Sequence, residues 1–151
     1  MVASGPNGAG IRIGIAVASW NQDINDRLLD ATLQRCAEVH VESVTTIRVP
    51  GALELPLGAQ KLFETGCDGV VAIGTVIKGE TDHYEIVARE SNSGLMRVSL
   101  DAGKPVGNAI LAVRKYEHAI ERAGVGSANK GVEALDAVVM TILAINGLQG
   151  S

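Results

Sequence analysis

The stretch that decides the fold is Gly69-Val-Val-Ala-Ile-Gly-Thr-Val-Ile77, followed directly by Lys78-Gly-Glu-Thr-Asp-His83. The first nine residues are almost all apolar and rich in β-branched side chains, which is typical of a strand buried on both faces of a parallel sheet. The polar residues that follow indicate the start of a helix. Ligands bind where the carboxyl end of a parallel strand meets the amino end of a helix. The sequence therefore predicts a site at this junction.

Three further β-rich segments accompany this strand, at residues 11–18, 41–49 and 104–113. Helical patterns separate the segments. One helix is expected before the second strand, and others at residues 53–64, from 81 or 82 to 99, 116–123 and 131–145. Connections of this length make a parallel sheet with right-handed crossovers. We therefore predict an α/β fold with a four-stranded parallel sheet.

Length and composition predict one domain. The chain has 151 residues, which is enough for one core but hardly for two. Hydrophobic residues make up 46% and aromatic residues only 3%, so the core must consist of Val, Ile, Leu and Ala, as in α/β proteins. Residues 1–10 are predicted to be a flexible N-terminal arm and residues 11–151 a single domain.

Apolar spacing predicts which faces of three helices are buried. In the first helix these residues are Leu29, Leu33, Cys36 and Ala37. In the third they are Ile86, Ala88, Leu95, Met96 and Val98. In the last they are Val132, Leu135, Val139 and Ile142. Asn21 or Asp23 is expected to cap the first helix, and Asp82 with Glu85 the third. The last helix is apolar on its other faces too, so a second subunit is expected to cover part of it.

The charge pattern and the cysteines narrow the classes of partner. The net charge is −4 and the basic residues are interspersed with acidic ones, so no nucleic acid partner is expected. No uninterrupted apolar run reaches the roughly 18 residues of a membrane span, and the N-terminus does not resemble a signal peptide. Cys36 and Cys67 lack metal-ligand spacing. These features predict a reduced, cytoplasmic protein without a membrane or metal site.

Three loops with unusual chemistry follow the first three strands. They are Ser19-Trp20-Asn21, Pro50-Gly-Ala-Leu-Glu54 and Lys78-Gly-Glu-Thr-Asp-His83. Because the carboxyl ends of parallel strands meet at one edge of the sheet, the three loops are expected to converge there.

The residues of these loops leave alternatives open. Trp20 either fills the core or offers a flat ring, beside Asn21, to a planar heterocycle. Glu54 either complements a helix dipole or accepts hydrogen bonds from hydroxyl groups.

The segment Gly79-Glu80-Thr81 is either an ordinary turn and cap or a phosphate site built from backbone N–H groups and a hydroxyl. Glu80 and Asp82 repel an anion, so a phosphate needs cations from elsewhere. Arg122 and Lys130, which flank a glycine-rich loop, are the candidates.

His83 has a catalytic interpretation and a structural one. In the first turn of a helix the positive end of the dipole disfavours its cationic form, and a neutral imidazole suits proton transfer near pH 7. His40 and His118 have no metal-ligand spacing to His83 or to the cysteines and are expected in solvent.

The motifs taken together resemble the lumazine synthase family of riboflavin biosynthesis. The resemblance rests on Ser19-Trp-Asn21, Val49-Pro-Gly-Ala-Leu-Glu-Leu-Pro56, Gly74-Thr-Val-Ile-Lys-Gly-Glu-Thr-Asp-His-Tyr84 and Glu121-Arg-Ala-Gly…Asn129-Lys-Gly131. These motifs occur in the family's order and spacing from about residue 11 to residue 145.

This resemblance implies a flavodoxin-like three-layer sandwich with active sites between adjacent subunits of a homopentamer, which in this family stays free or assembles into a shell of sixty. It implies the condensation of 5-amino-6-(ribitylamino)uracil with 3,4-dihydroxy-2-butanone 4-phosphate, which releases phosphate and water. No metal or organic cofactor is implied.

The resemblance also assigns residues to the ring and ribityl site. They are Trp20, Asn21, Ala52, Leu53, Glu54, Thr75, Val76 and Ile77. Trp20 matches the aromatic that stacks on the ring, and Glu54 takes the ribityl hydroxyls. Residues 75–77 match the backbone segment that reads the uracil edge.

A second set resembles the site of the butanone phosphate and of proton transfer. It consists of Gly79, Glu80, Thr81, His83, Arg122 and Lys130. His83 resembles the proton-transfer residue. Arg122 and Lys130 are expected to arrive from the neighbouring subunit.

Two positions depart from the family pattern. Asn108 stands where many members have an aromatic residue, so the second face of the ring is expected to be covered differently. Lys78 stands where arginine is common. The loop at residues 124–129 has no insertion, which is compatible with a sixty-subunit shell.

Two alternative functions accompany the synthase interpretation. An archaeal-type riboflavin synthase shares the fold but is not expected to keep the run from Gly79 to His83. A flavin- or lumazine-binding or shell-forming relative with lost catalysis would fit Trp20 and Asn108.

Overall fold

The structure is a computed structural model and describes residues 5–79, 83–126 and 128–149. The strands are Arg12–Ala18 (β1), Ser43–Val49 (β2), Gly69–Ile77 (β3) and Val106–Val113 (β4). The helices are Gln22–Glu38 (α1), Leu55–Glu64 (α2), His83–Ala102 (α3), Tyr116–Arg122 (α4) and Lys130–Gln149 (α5), and a 3₁₀ turn at Ala52–Glu54 precedes α2. The predicted α/β fold with a four-stranded parallel sheet is confirmed.

The sheet is parallel throughout and has the strand order β2-β1-β3-β4. Helices α1, α4 and α5 pack on one face, and α2 and α3 pack on the other, which gives the three layers of a flavodoxin-like fold. The chain leaves β1 towards β2 and then crosses back over β1 to reach β3. The direction of strand order therefore reverses between β1 and β3, which is the point where ligands bind in such sheets.

The core is aliphatic, as the composition requires. Ile13, Ile15 and Val17 of β1 are fully buried on the side of α1, α4 and α5. The residues of β1 on the opposite face are Ala16 and Ala18, whose small side chains let α2 approach the sheet closely. Burial of each Ile or Val contributes about 1.5–3 kcal/mol.

Of the predicted N-terminal arm, residues 5–10 are described. Gly8 is buried, and its N–H donates a hydrogen bond to the carbonyl of Val39 at 2.6 Å.

The predicted buried face of α1 is partly wrong. Leu33 and Ala37 are exposed, whereas Leu29 and Cys36 are buried as expected. The buried residues of this helix are Ile24, Asn25, Leu28, Leu29, Thr32, Arg35 and Cys36. The face was misplaced because three of its members are polar, and apolar spacing alone does not include them.

Two of these polar residues, Thr32 and Arg35, have hydrogen-bond partners within α1 or on α5. Thr32 Oγ1 donates to the carbonyl of Leu28 at 2.7 Å, within its own helix. Arg35 donates from Nε and Nη2 to the two carboxylate oxygens of Asp136 at 2.8 and 3.0 Å, and from Nη1 to Glu38 at 3.1 Å. The hydrogen bonds with Asp136 raise the pKa of Arg35 further. This ion pair joins α1 to α5.

The predicted cap of α1 is confirmed in its position at Asn21 but not in its side-chain hydrogen bond. Asn21 occupies the N-cap position with φ 64° and ψ 44°, and its side chain makes no capping hydrogen bond. Asp23 lies inside the first turn rather than at the cap. The left-handed backbone at Asn21, which asparagine tolerates better than most residues, turns the chain from β1 into α1.

In α3 the predicted inner residues Ile86 and Met96 are exposed, at 47% and 63% of their full accessibility. The residues of α3 that are buried are Val87, Ser91 and Leu95. Val98 and Ala88 are half-buried, Val98 against the same core, so α3 meets the sheet and α2 with a narrow stripe that leaves Ile86, Met96 and Leu100 outside. The predicted start at Thr81 or Asp82, and the cap formed by Asp82, lie outside the described residues.

In α5 the predicted inner stripe is confirmed for Leu135, Val139 and Ile142, which are buried, whereas Val132 is only half-buried. The large apolar side chains that remain exposed are Met140, Leu143, Ile145 and Leu148. The segment Lys130–Leu148, with a mean hydropathy of 1.6 and 33% burial, is long and apolar enough to cross a membrane. A core helix of a soluble protein meets the same criterion, so this feature alone is weak support for a membrane span.

Close packing of α5 against α1 gives a testable prediction. A Cβ on Gly131 would lie 2.3 Å from Thr32 Oγ1 and 2.7 Å from the carbonyl oxygen of Leu28, so Gly131→Ala forces the helices apart. We expect a loss of about 1–3 kcal/mol in the free energy of unfolding, measured in urea at fixed protein concentration.

The matched control is Gly147→Ala in the same helix, where a Cβ meets no atom within 4 Å. This change should leave stability equal or raise it by about 0.5–1 kcal/mol, because alanine favours a helix more than glycine does. Equal stability of the two variants would contradict the packing described for Gly131.

Candidate active site

A cavity of about 310 Å³ opens at the carboxyl edge of the sheet, between the ends of β1 and β3. Its lining residues are Ala18, Trp20 and Asn21 after β1, Gly51–Glu54 after β2, Thr75–Ile77 at the end of β3, and His83 and Val87 on α3. We call it the carboxyl-edge pocket. Two other cavities have the same volume. This one is distinguished, not by size, but by the meeting of the loops after β1 and β2 with the end of β3 and with His83.

The end of β3 has a strand on only one side. Pairing of β1 with β3 stops at Val17 and Ile73, whereas pairing of β3 with β4 continues to Ile77 and Val113. Residues 74–77 therefore present the edge that faces β1 without a strand partner. Backbone N–H and C=O groups on that edge are available to other groups in the pocket.

Trp20 follows β1 in the chain, and its side chain lies against the turn after β2 rather than in the core. Its side chain is 67% exposed in the single chain, so the interpretation that it fills the core is wrong. The aromatic ring rests against Gly51, where a Cβ would lie 2.5 Å from Trp20 Cε3. The absence of a side chain on Gly51 is what allows the ring to lie there.

Glu54 holds the turn on which Trp20 rests. Its Oε1 accepts a hydrogen bond from the backbone N–H of Gly51 at 2.9 Å. Glu54 is half-buried and lines the pocket. Among the described residues only Oε1 has a hydrogen-bond donor, so Oε2 keeps its acceptor capacity for hydroxyl groups of a ligand.

A buried amide network ties the end of β1 to the end of β3. Asn25 donates from Nδ2 to the carbonyls of Ala18 and Trp20, both at 2.8 Å, and its Oδ1 accepts a hydrogen bond from Thr75 Oγ1 at 2.7 Å. Asn21 donates from Nδ2 to the carbonyl of Thr75 at 2.9 Å. The first turn of α1 and the open edge of β3 are therefore held at a fixed distance.

Sequence reasoning missed Asn25, although a signal for it existed. Asn25 lies between Ile24 and Leu28 on the buried face of a helix, where asparagine is a poor helix former. A polar residue on an apolar stripe requires partners, and here they are the carbonyls at the end of β1.

His83 is the first residue of α3 and contributes to the pocket from the side opposite β1. It is exposed in the single chain. Its position at a helix amino terminus is the one that the sequence predicted. Glu80 and Thr81, which the sequence also assigned to this junction, lie outside the described residues, and Gly79 does not line the pocket.

The remaining predicted residues do not reach the pocket of their own chain. Asn108 lies at mid-strand in β4, opposite Ala72, and its side chain bonds Asn92 and the N–H of Ile110. Arg122 is the exposed last residue of α4, and Lys130 begins α5 and pairs with Glu133 at 3.2 Å.

The loop between Arg122 and Lys130 is held by a buried asparagine. Asn129 donates from Nδ2 to the carbonyl of Gly124 at 2.8 Å, and its Oδ1 accepts hydrogen bonds from the N–H groups of Gly131 and Val132 at 2.8 and 3.3 Å. The Asn129 side chain therefore caps the amino terminus of α5 and also connects it to Gly124. Arg122 is exposed just before this loop, and the half-buried Lys130 follows directly after Asn129.

Besides Arg35, three titratable groups away from the pocket show clear shifts, namely Asp23, Tyr116 and Cys36. Tyr116 donates its hydroxyl hydrogen to Asp23, which lowers the pKa of the Asp23 carboxyl and raises the pKa of Tyr116. Burial raises the pKa of the Cys36 thiol to about 12, so this cysteine is not a nucleophile at neutral pH. Within the described ranges no three His, Cys, Asp or Glu side chains come together as a metal site would need.

Comparison with known proteins identifies relatives of the whole chain. The sequence profile of the family described as 6,7-dimethyl-8-ribityllumazine synthase matches residues 10–146. A protein of that name from Saccharopolyspora erythraea is 43% identical over 150 residues, covering 98% of this chain and 90% of its own length. A protein of the same name from Yersinia pestis is 43% identical over 92% of this chain and 92% of its own length. Another, from Nitratidesulfovibrio vulgaris, is 42% identical over 92% of this chain and 91% of its own length.

The contact between Trp20 and Gly51 predicts the behaviour of a variant. Gly51→Ala should push the indole ring off the turn, because the new methyl group would overlap ring carbons at 2.5 and 2.7 Å. The measurement is acrylamide quenching of fluorescence from Trp20, the only tryptophan of the chain. We expect an altered quenching constant and lower fluorescence anisotropy. Gly58→Ala, whose new Cβ would lie no closer than 3.4 Å to another residue, is the control and should match the wild type.

Proposed function

The chain belongs to the 6,7-dimethyl-8-ribityllumazine synthase family, and from this premise we propose how its residues serve that family's reaction. The reaction is a step of riboflavin biosynthesis and makes the protein a transferase. It condenses 5-amino-6-(ribitylamino)uracil with 3,4-dihydroxy-2-butanone 4-phosphate to give 6,7-dimethyl-8-ribityllumazine, phosphate and water. Neither a metal nor an organic cofactor takes part.

One observation carries the assignment of the pocket. All the residues that resemble the family's ring and ribityl site line a single cavity at the β1–β3 switch point, although they come from two separate loops and from the end of β3. The pyrimidine ring stacks on Trp20. Its polar edge is read by the backbone of residues 75–77, which has no strand partner on that side.

The ribityl chain runs along the turn after β2. Ala52 and Leu53 supply apolar contact, and Glu54 Oε2 accepts hydrogen bonds from the ribityl hydroxyls. Glu54 is suited to this role because its other oxygen is already fixed by Gly51 N–H at 2.9 Å, so the carboxylate is preorganised.

The phosphate of the second substrate is held at the β3–α3 junction, by Gly79, Glu80 and Thr81, together with Arg122. Arg122 is exposed on α4 and outside the pocket of its own chain, which supports its arrival from a second copy. The guanidinium offsets the negative charges of the junction and binds phosphate oxygens. Lys130 is the second cation of the phosphate site. Asn108 stands where many members of the family have an aromatic residue, and it faces the pyrimidine ring bound in the pocket of the neighbouring subunit.

His83 transfers protons during the reaction. Attack of the 5-amino group on the ketone carbonyl, loss of water to the imine, elimination of phosphate and ring closure each move a proton. An imidazole at the pocket wall can accept and return these protons near neutral pH. Binding both substrates side by side supplies a further large part of the rate.

The working assembly is a homopentamer. Two features support it, namely the exposed apolar residues of α3 and α5 and the position of Arg122 and Lys130 outside the pocket of their own chain. Light scattering separates a free pentamer of 15.7 kDa chains from a shell of sixty, because the two masses differ twelvefold.

Cytoplasmic localisation is part of the same proposal and is supported by two free, buried cysteines.

The direct test is a mixture of the purified protein with both substrates, in which lumazine absorbance and fluorescence are followed. Product at only the uncatalysed rate would contradict the proposal and favour a lumazine-binding relative without catalysis.

His83→Ala should lower turnover by roughly 10- to 1000-fold, since acid/base groups contribute about 10²–10⁴-fold and other groups can partly substitute for the imidazole.

The matched control for His83 is His40→Asn. His40 follows α1 at the opposite edge of the sheet with φ 63°, a conformation that asparagine tolerates. Its turnover should equal that of the wild type. Equal losses in both histidine variants would mean that His83→Ala acts through folding.

A further prediction concerns the phosphate. Arg122→Ala should raise the Michaelis constant for the butanone phosphate by about 10- to 100-fold, because a charged hydrogen bond contributes about 1.5–3 kcal/mol. Its Michaelis constant for the ribitylaminouracil should change little. Arg12→Ala, which removes an arginine paired with Asp68 at the other edge of the sheet, is the control. An unchanged constant for the phosphate substrate in Arg122→Ala would refute the role.

A further inference from the structure

We propose that Asn25 is a positioning residue of the reaction, which fixes the ring platform Trp20 relative to the β3 edge that reads the ring. Asn25 does not line the pocket and touches no substrate in this arrangement. Its effect is exerted through Trp20 and Thr75. The proposal rests on the proposed function for its kinetic readout, but not for its spectroscopic one.

The environment of Asn25 is fully organised. The side chain has no exposed surface, and both its amide nitrogen and its oxygen are engaged, at 2.7–2.8 Å. A buried amide that lost these partners would be left without hydrogen bonds in an apolar surrounding. Its amide orientation is therefore determined, with Nδ2 towards β1 and Oδ1 towards β3.

The two bonds from Nδ2 fix the turn that carries Trp20. They reach the carbonyls of Ala18 and Trp20, one on each side of Ser19. The same turn is held from the other strand by the backbone N–H groups of Ser19 and Trp20, which donate to the carbonyl of Pro50 at 3.1 and 3.0 Å. Loss of the amide would leave the Trp20 backbone tied to the β2 turn alone.

The bond to Oδ1 fixes the other wall. Thr75 Oγ1 donates to Asn25, and the Thr75 carbonyl accepts from Asn21, so both the side chain and the backbone of Thr75 are held towards α1. This stretch of β3 has no strand partner on that side, and side-chain amides take the place of a neighbouring strand. One amide thus connects the surface that stacks the ring with the edge that reads it.

This geometry makes the expected defect selective. Both structures that Asn25 holds contact the ring substrate, whereas the phosphate substrate is bound at the β3–α3 junction and by a second copy. Loss of the amide should therefore weaken the ribitylaminouracil and leave the butanone phosphate nearly unaffected. A residue that served stability alone would give no such difference between the two substrates.

The test uses Asn25→Leu, which keeps the number and branching of the side-chain heavy atoms and removes all three hydrogen bonds. We expect the Michaelis constant for the ribitylaminouracil to rise on the order of tenfold or more, as for loss of a buried hydrogen-bonded group, with a change below about twofold for the butanone phosphate. Acrylamide quenching of Trp20, the single tryptophan, should increase in the free protein.

The control is Thr32→Val, two turns further along the same helix. Thr32 is equally buried and its hydroxyl bonds only the carbonyl of Leu28. This variant should lose stability but keep both Michaelis constants and the quenching of Trp20. A folded Asn25→Leu protein with the wild-type constant for the ring substrate and wild-type quenching would overturn the proposal.

A second variant applies if Asn25→Leu does not fold. Thr75→Val removes one bond of the network and should raise the constant for the ring substrate by a smaller factor, about two- to fivefold. An unchanged constant there would also overturn the proposal. If the wild-type protein itself lacks synthase activity, the proposed function fails, and the quenching of Trp20 in the two variants still decides the role of Asn25.

Discussion

The site depends on one constraint, which is that β3 extends beyond the end of β1. Strand β1 stops because the chain turns at Asn21, with φ 64°, into α1. The last residues of β3 are left with β4 on one side only. Asn21 and Asn25 occupy part of the vacated edge with side-chain amides, and the rest of it opens into the carboxyl-edge pocket. The strand order places this gap at the switch point between β1 and β3, where α/β sheets bind their ligands.

The sequence predicts most of this architecture because the segments with the clearest apolar patterns are also the most buried ones. The strand Gly69–Ile77 has the expected bounds, since an apolar run between Asp68 and Lys78 has one interpretation. The convergence of three loops follows from parallel topology alone. The faces of α1 and α3 were misplaced where burial includes polar side chains or leaves apolar ones outside. The role of Asn25 was not predicted because Asn25 is a polar residue on a buried helix face. Its hydrogen-bond partners are carbonyls that only the fold brings within reach.

The predicted site divides into two groups, which the family resemblance separates but the spacing of the motifs does not. The residues for ring and ribityl chain line one pocket, whereas Asn108, Arg122 and Lys130 lie away from it on β4, α4 and α5. Whether two motifs meet within a chain or between chains is not encoded in their spacing. Within the second group, the buried cap at Asn129 holds the start of α5, where Lys130 lies, and the carbonyl of Gly124, two residues after Arg122. Our account is that each chain supplies both halves, one to its own pocket and the other to the pocket of its neighbour.

This central claim is tested most directly by mixing two impaired variants and assaying them at a butanone phosphate concentration below the wild-type Michaelis constant, where both are expected to be nearly inactive. His83→Ala and Arg122→Ala chains, unfolded together and refolded as mixed oligomers, should recover activity in about a quarter of the pockets, those that combine an intact His83 with an intact Arg122 from a neighbour in the ring. The same variants refolded separately and then combined serve as the reference. Recovery to about a quarter of wild-type turnover is the predicted result. Activity no higher than the mean of the separately refolded variants would contradict a pocket shared between chains.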